Sequence, residues 1–213
     1  MKRRTLDILF SLGGVAIAIL LAVAGLVLQA NADFANDYVG RQLAEQNITF
    51  KTLDTLTAEE RAQPGLVENA GKPLTTGKQA EVYANEFIGL HLKGTAEGRT
   101  YADMGAPQSA LRAQVAEAQK NNDPNLAALQ EQLAGVTAQR ETLFKGETLR
   151  GLLLTTYGFS EFGTKAGQAA LVAFLAALVM ALLAAAGFVH AWRTPRTEAF
   201  APVEAPARTP VAA

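Results

Sequence analysis

The sequence predicts a mainly α-helical protein in which two transmembrane helices flank a small helical extracytoplasmic domain with an αα-hairpin. Three observations lead there. Two long apolar runs, Ile8 to Ala30 and Ala166 to Ala191, stand near the two ends, and no formally charged residue lies between Lys165 and Arg193. Aromatic residues make up only 7% of the chain, and the apolar content is dominated by Ala, Leu and Val, which favours helices over sheets. Between the runs, capping signals and helical spacing recur. At about 1.5 Å of rise per residue, either run as a helix crosses a hydrocarbon core of roughly 30 Å.

The division expected is a cytoplasmic amino terminus (1–7), a first span (8–30), an outer domain (31–165), a second span (166–192) and a disordered cytoplasmic tail (193–213) rich in Pro and Ala. Charge sets the orientation. Lys2, Arg3 and Arg4 precede the first run, and Arg193 and Arg196 follow the second. The segment between them holds 13 basic and 17 acidic residues within a net charge of −1. Short basic flanks stay inside, so both termini are placed in the cytoplasm of a multi-pass plasma-membrane protein. The mildly acidic middle excludes nucleic acid as a partner. With no cysteine, disulfides and thiolate chemistry are excluded as well.

Taken in order, the first run is longer than the roughly 7 to 15 apolar residues of a secretory signal. Although Ala30-Asn31-Ala32 has the small-x-small form of a cleavage site, an uncleaved anchor is expected. Gly14, Ala18 and Ala22 recur every four residues and offer a face for close helix approach. The helix is expected to continue to Gln46, with Phe34, Tyr38 and Leu43 near one side. Asn47-Ile48-Thr49 matches a glycosylation sequon of low specificity. Ile48 to Leu56 alternates in a β-capable way. Thr57 to Glu60 reads as a capping box opening a brief helix that Pro64-Gly65 stops, and 64–75 as a surface loop.

Thr76 to Gln79 is a second capping box, opening a helix to about Lys93 with Gly94 as its terminator. Ala80, Tyr83, Ala84, Phe87, Ile88 and His91 form its apolar face and much of the predicted core. After a loop from Thr95 to Ala106, Pro107 begins a hairpin whose first arm is marked by Leu111, Val115 and Ala118. Asp123-Pro124 opens the second arm, where Leu126, Leu129, Leu133, Val136, Arg140 and Leu143 have coiled-coil spacing broken by Arg140. That pattern suits an intramolecular hairpin or an intermolecular coiled coil.

The stretch before the second run is apolar and glycine-rich, with Gly146, Gly151, Gly158 and Gly163 allowing either a hinge or close packing. Tyr157, Phe159 and Phe162 are expected at the outer membrane surface, and Trp192 at the inner one. Ala169, Ala173, Ala177, Ala181 and Ala185 are spaced by four and are expected to pack on the Gly14, Ala18 and Ala22 face.

The motif search yields no phosphate loop, zinc spacing, nucleophile elbow or kinase set. Only His91 and His190 are present, one in the outer segment and one in the second run, so they cannot converge on a non-haem iron. No catalytic residue, metal site or cofactor is therefore expected. Asn31 to Ala35, Leu74 to Ala80, His91-Leu92, and Gly146 to Leu154 with Tyr157-Gly158-Phe159 resemble short, uncharacterised actinobacterial two-span membrane proteins. Such sequences are often labelled aromatic ring-opening dioxygenases, a label the histidine argument contradicts. Some relatives place cysteines in the stretch matching 66–82, which implies that Leu66 or Val67 packs near Val82. The function expected is a structural or accessory role in which the outer domain binds a membrane or cell-envelope protein, or a second copy of itself. A ligand-sensing module signalling through another subunit is the alternative.

Overall fold

The structure, a computed structural model, describes residues 2–196 and 198. Beyond Arg196 and apart from Glu198, the tail expected to be disordered lies outside the described residues. The fold is mainly helical, and the described residues contain no β-strand. Its elements are α1 (Arg3–Glu45), α2 (Ala58–Arg61), α3 (Pro64–Glu68), α4 (Gly77–Val82), a π-helical segment (Tyr83–Ile88), α5 (Gly89–Gly94), a 3-10 turn (Thr95–Gly98), α6 (Gly105–Asn121) and α7 (Leu126–Arg193). The chain divides into two compact units, Met1–Asn31 with Lys165–Ala213 (unit 1) and Ala32–Thr164 (unit 2).

Unit 1 contains the two apolar runs, each as uninterrupted helix. Unit 2 has its own core, in which Val39 and Leu43 of α1, Leu66 of α3, Leu74, Met104, and Leu143 and Leu153 of α7 surround the α4 to α5 rod. That rod presents Ala80, Ala84, Ile88 and Leu92, all buried and four residues apart. A four-residue step drifts by about 40° per step around an α-helix. The π segment takes about one residue more per turn, so it turns the face back and keeps the row in line. Tyr83 and Phe87 lie beside this row, whereas His91, expected on the core face, is half exposed.

Both predicted capping boxes form. Thr57 Oγ1 accepts from Glu60 N and Thr76 Oγ1 from Gln79 N, while each N3 side chain reaches back to its cap. Pro64 opens α3 rather than closing α2, because a proline at the first helical position loses no needed donor. The expected loop at 64–75 is thus partly helical, with Leu66 and Leu74 in the core. Val82 packs over Gly65.

The β-capable stretch makes only one bridge, Thr49 to Pro73, flanked by Phe50 N to Lys72 O and Leu74 N to Ile48 O. Gly94 is helical at φ −74. The chain reverses instead through left-handed Ala96, Glu97 and Gly98. The first arm of the hairpin starts two residues before Pro107, and Asn122 in the left-handed conformation closes it. Asp123 then caps the second arm, its Oδ1 accepting from Asn125 N at 2.7 Å.

No break interrupts α7 at its glycines. Gly146 admits the Leu92 side chain, and Gly163 admits Ala35, each at a distance a side chain would close. Within unit 2 the α4 to α5 rod runs antiparallel to α7, since Gly77 meets Ser160 while Leu92 meets Gly146.

Truncating a core side chain separates this packing from helix propensity. Leu74→Ala is expected to cost about 2–5 kcal/mol in unfolding free energy, against less than about 1 kcal/mol for Leu152→Ala, which is 62% exposed on α7. Thermal or denaturant melting of the full chain in detergent measures both.

Candidate functional site

In unit 1 the contact between the two apolar helices is made by small residues. A Cβ placed on Gly14 would lie 3.2 Å from Ala184 Cβ, one on Gly25 would strike the Phe174 ring, and Gly187 admits the Ser11 hydroxyl. The buried positions of the second run are Ala170, Ala177, Ala184 and Ala191, seven residues apart. On α1 they are Ser11, Ala18 and Gly25, also seven apart, with Gly14 between.

This corrects the expected alanine stripe. Ala177 is buried and Ala173 is half buried, but Ala169, Ala181 and Ala185 are exposed. A four-residue repeat drifts by about 40° per step, roughly 160° from Ala169 to Ala185, so it leaves the contact. A seven-residue repeat drifts by only about 20° and stays on it. Gly14 and Ala18 are at the contact, whereas Ala22, Ala181 and Ala185 line an apolar groove of about 460 Å³ beside it. The seam was readable in the sequence as Ala170, Ala177, Ala184 and Ala191, but alanine is so abundant there that a period of four is equally visible.

At one end of this pair His190 Nδ1 lies 3.0 Å from Asp7 Oδ2, and Ser11 Oγ donates to Asp7 O at 2.7 Å. Trp192, nearby in sequence, is 81% exposed. Of the other aromatics expected at a membrane surface, Phe162 is 77% exposed and Phe159 stands edge-on to Tyr38. Tyr157 is half buried, because its ring lies under Lys78 Nζ at 5.5 Å.

Unit 2 holds the most buried charge. Glu60 is 1% exposed, and its Oε2 accepts from Thr57 N at 2.8 Å while Oε1 accepts from Lys51 Nζ at 2.7 Å. His91 Nε2 lies 3.3 Å from the same Oε1, and His91 Nδ1 is 2.7 Å from Phe87 O. Both ring nitrogens of His91 thus face oxygen atoms. Lys51's hydrogen bond, joined by the Thr57 amide and His91, holds the Glu60 carboxyl below its ordinary range against the opposing effect of burial. The ring ladder Phe50, Tyr83, Phe87 and His91, with centroids 5.4, 4.8 and 4.5 Å apart, covers the cluster's flank. Sequence reading singled out His91 but missed Glu60, whose capping position hid its burial.

Two of the clefts in unit 2 are lined by arginines. One lies between α6 and α7, where Arg140 stacks over Tyr101 at 4.2 Å and its Nη1 donates to Gln108 Oε1 at 2.6 Å. Arg140 therefore closes the intramolecular hairpin at the point where it interrupts the apolar spacing. The other lies beside α5 and contains Arg150. Among the described residues no three His, Asp or Glu side chains gather as a metal site.

The chain matches no protein-family model, no curated protein and no solved structure in comparisons of sequence and fold.

Two measurements follow. Cysteines replacing Gly14 and Ala184 are expected to form a disulfide on mild oxidation, whereas cysteines replacing Gly14 and Ala185 are not; electrophoretic mobility before and after protease nicking separates them. For Glu60, a carboxyl lowered in the folded state stabilises above the unfolded-state pKa and loses that effect as pH falls through the folded-state value. Glu60→Gln should therefore melt below wild type at pH 7, with the gap closing below the usual carboxylate range.

Proposed function

We propose that this chain is a two-span integral membrane protein with both termini cytoplasmic, whose unit 2 serves outside the membrane as a non-catalytic binding module for a protein partner. The observation that supports the membrane reading most is the outward surface of the unit 1 helices. Leu20, Val23, Leu26, Leu171, Val172, Leu175, Leu182 and Leu183 are all exposed, and only about a fifth of each apolar window is buried. The core helix of a water-soluble protein buries such residues, whereas lipid solvates them at no cost. Basic residues flank both runs in the arrangement that holds short termini inside.

Support for a protein partner comes from α7 within unit 2. Leu152, Phe159 and Phe162 lie on one side of it and are exposed, Phe159 with its ring edge-on to Tyr38 of α1. Exposed apolar side chains along a helix are the usual mark of an interaction surface or of the membrane boundary. The sensing alternative draws on a different feature, the polar cleft beside α5. Kinship with the actinobacterial two-span proteins belongs to the same proposal.

The absence of cysteine makes a topology test clean. Single cysteines replacing Lys120, Thr5 and Thr197 are introduced in turn and treated in intact cells with a membrane-impermeant maleimide. The proposal predicts labelling at 120 only, and at 5 and 197 only after lysis. The reverse pattern would overturn the orientation, and recovery of the protein in the soluble fraction without detergent would overturn the membrane reading. With the topology established, Leu152→Glu combined with Phe159→Glu is expected to abolish co-purification of a partner, or of a differently tagged second copy.

A further inference from the structure

We infer that the cleft beside α5 is a binding site for a phosphate monoester group. It encloses about 330 Å³ and lies wholly within unit 2, so the inference goes beyond the membrane reading and stands or falls apart from it. Its walls bring together Lys93, Arg99 and Arg150, from three separate stretches of the chain, against a single carboxylate, Glu147.

That carboxylate is already engaged, because Arg150 Nη1 donates to Glu147 Oε2 at 3.3 Å. Arg150 Nη2 donates to Asn85 Oδ1 at 3.1 Å. Of its remaining donors, Nε is buried over Gly89 without a hydrogen-bond partner, the one buried side-chain polar atom left so among the described residues. A guanidinium has five donors, and a buried one left unmade costs more than an average hydrogen bond contributes. The protein's own acceptors thus leave this group incomplete.

The other two cations are equally under-used. Arg99 Nε donates to Ala96 O at 3.1 Å, but its nearest carboxylate, Glu97, is 3.8 Å away and almost fully exposed. Lys93 has no ion pair or hydrogen bond within the chain among the described residues. Three cations against one carboxylate line this concave space, while Glu97 and Asp103, outside the lining, act on Arg99. A phosphate monoester suits a cationic lining of that kind, and arginine forks suit its oxygens. The chain on the cleft rim is held in the left-handed region at Ala96, Glu97 and Gly98, with φ of 53, 57 and 78. Two of these are not glycine, and this turn sets Arg99 beside Lys93.

The test uses the full chain in nonionic detergent and three probes: inorganic phosphate, glycerol 3-phosphate and the short-chain lipid dihexanoyl phosphatidate. Saturable binding at millimolar or lower concentration is expected by calorimetry. Lys93→Gln with Arg99→Gln should weaken it by about tenfold or more, whereas Arg112→Gln in the neighbouring cleft should leave it unchanged. Neither Lys93 nor Arg99 is in the core, so the double variant is expected to fold, and its melting curve checks this. Binding of the free phosphates identifies a soluble ester as the source, and binding of phosphatidate alone identifies a lipid headgroup. No binding of any probe, equal binding in the folded double variant, or equal binding of succinate would overturn the inference.

Discussion

The two helices of unit 1 approach one another through a seam that is one small residue wide. Ala170, Ala177, Ala184 and Ala191 on one side, and Ser11, Ala18 and Gly25 on the other, keep backbone close to backbone. On the membrane reading proposed above, no hydrophobic effect drives such an approach, so it depends on dispersion contacts at short range. That dependence explains why the repeat is seven. Only a step whose drift is small holds the same residues at the contact over several turns, and the larger leucines and valines are then turned outward. Gly25 accommodating Phe174, and Gly187 accommodating Ser11, are local consequences of the same narrow gap.

Unit 2 is held together differently. Its core is a row of alanines and larger residues on the α4 to α5 rod, kept straight by one π turn, and packed where glycines of α7 leave room. Against the rod's other side the buried Glu60 ties α2 to Lys51 and His91, and its capping role fixes the helix start at the same time. One carboxylate therefore serves backbone, cation and imidazole at once. Of these three donors Lys51 and His91 keep contact with water, while the Thr57 amide relies on Glu60 as its acceptor.

Much of this was legible in the sequence. Both capping boxes, both apolar helices, the rod from Gly77 to Gly94 and the hairpin turn at Asn122-Asp123 follow from local chemistry that acts within a few residues. What escaped depends on distant neighbours. Pro64 reads as a stop or a start with equal ease, and only the packing of Leu66 decides. The π turn leaves no local signature, and it moved His91 off the core face. In the second apolar run alanine occupies so many positions that periods of four and seven coexist, and geometry selects the seven. The cleft at Arg150 could not be foreseen because Asn85, Lys93, Arg99, Glu147 and Arg150 are brought together only by folding.

The central claim is that lipid surrounds the unit 1 helices while a seven-residue seam of small side chains joins them. A spin-label scan of positions 166–192 in a reconstituted bilayer tests it most directly, using oxygen as the lipid-soluble relaxant and a nickel chelate as the water-soluble one. The account predicts high oxygen and low nickel accessibility at 171, 172, 175, 178, 182 and 183, with minima for both at 170, 177, 184 and 191. Strong nickel accessibility along the run, or minima at 169, 173, 177, 181 and 185, would contradict it.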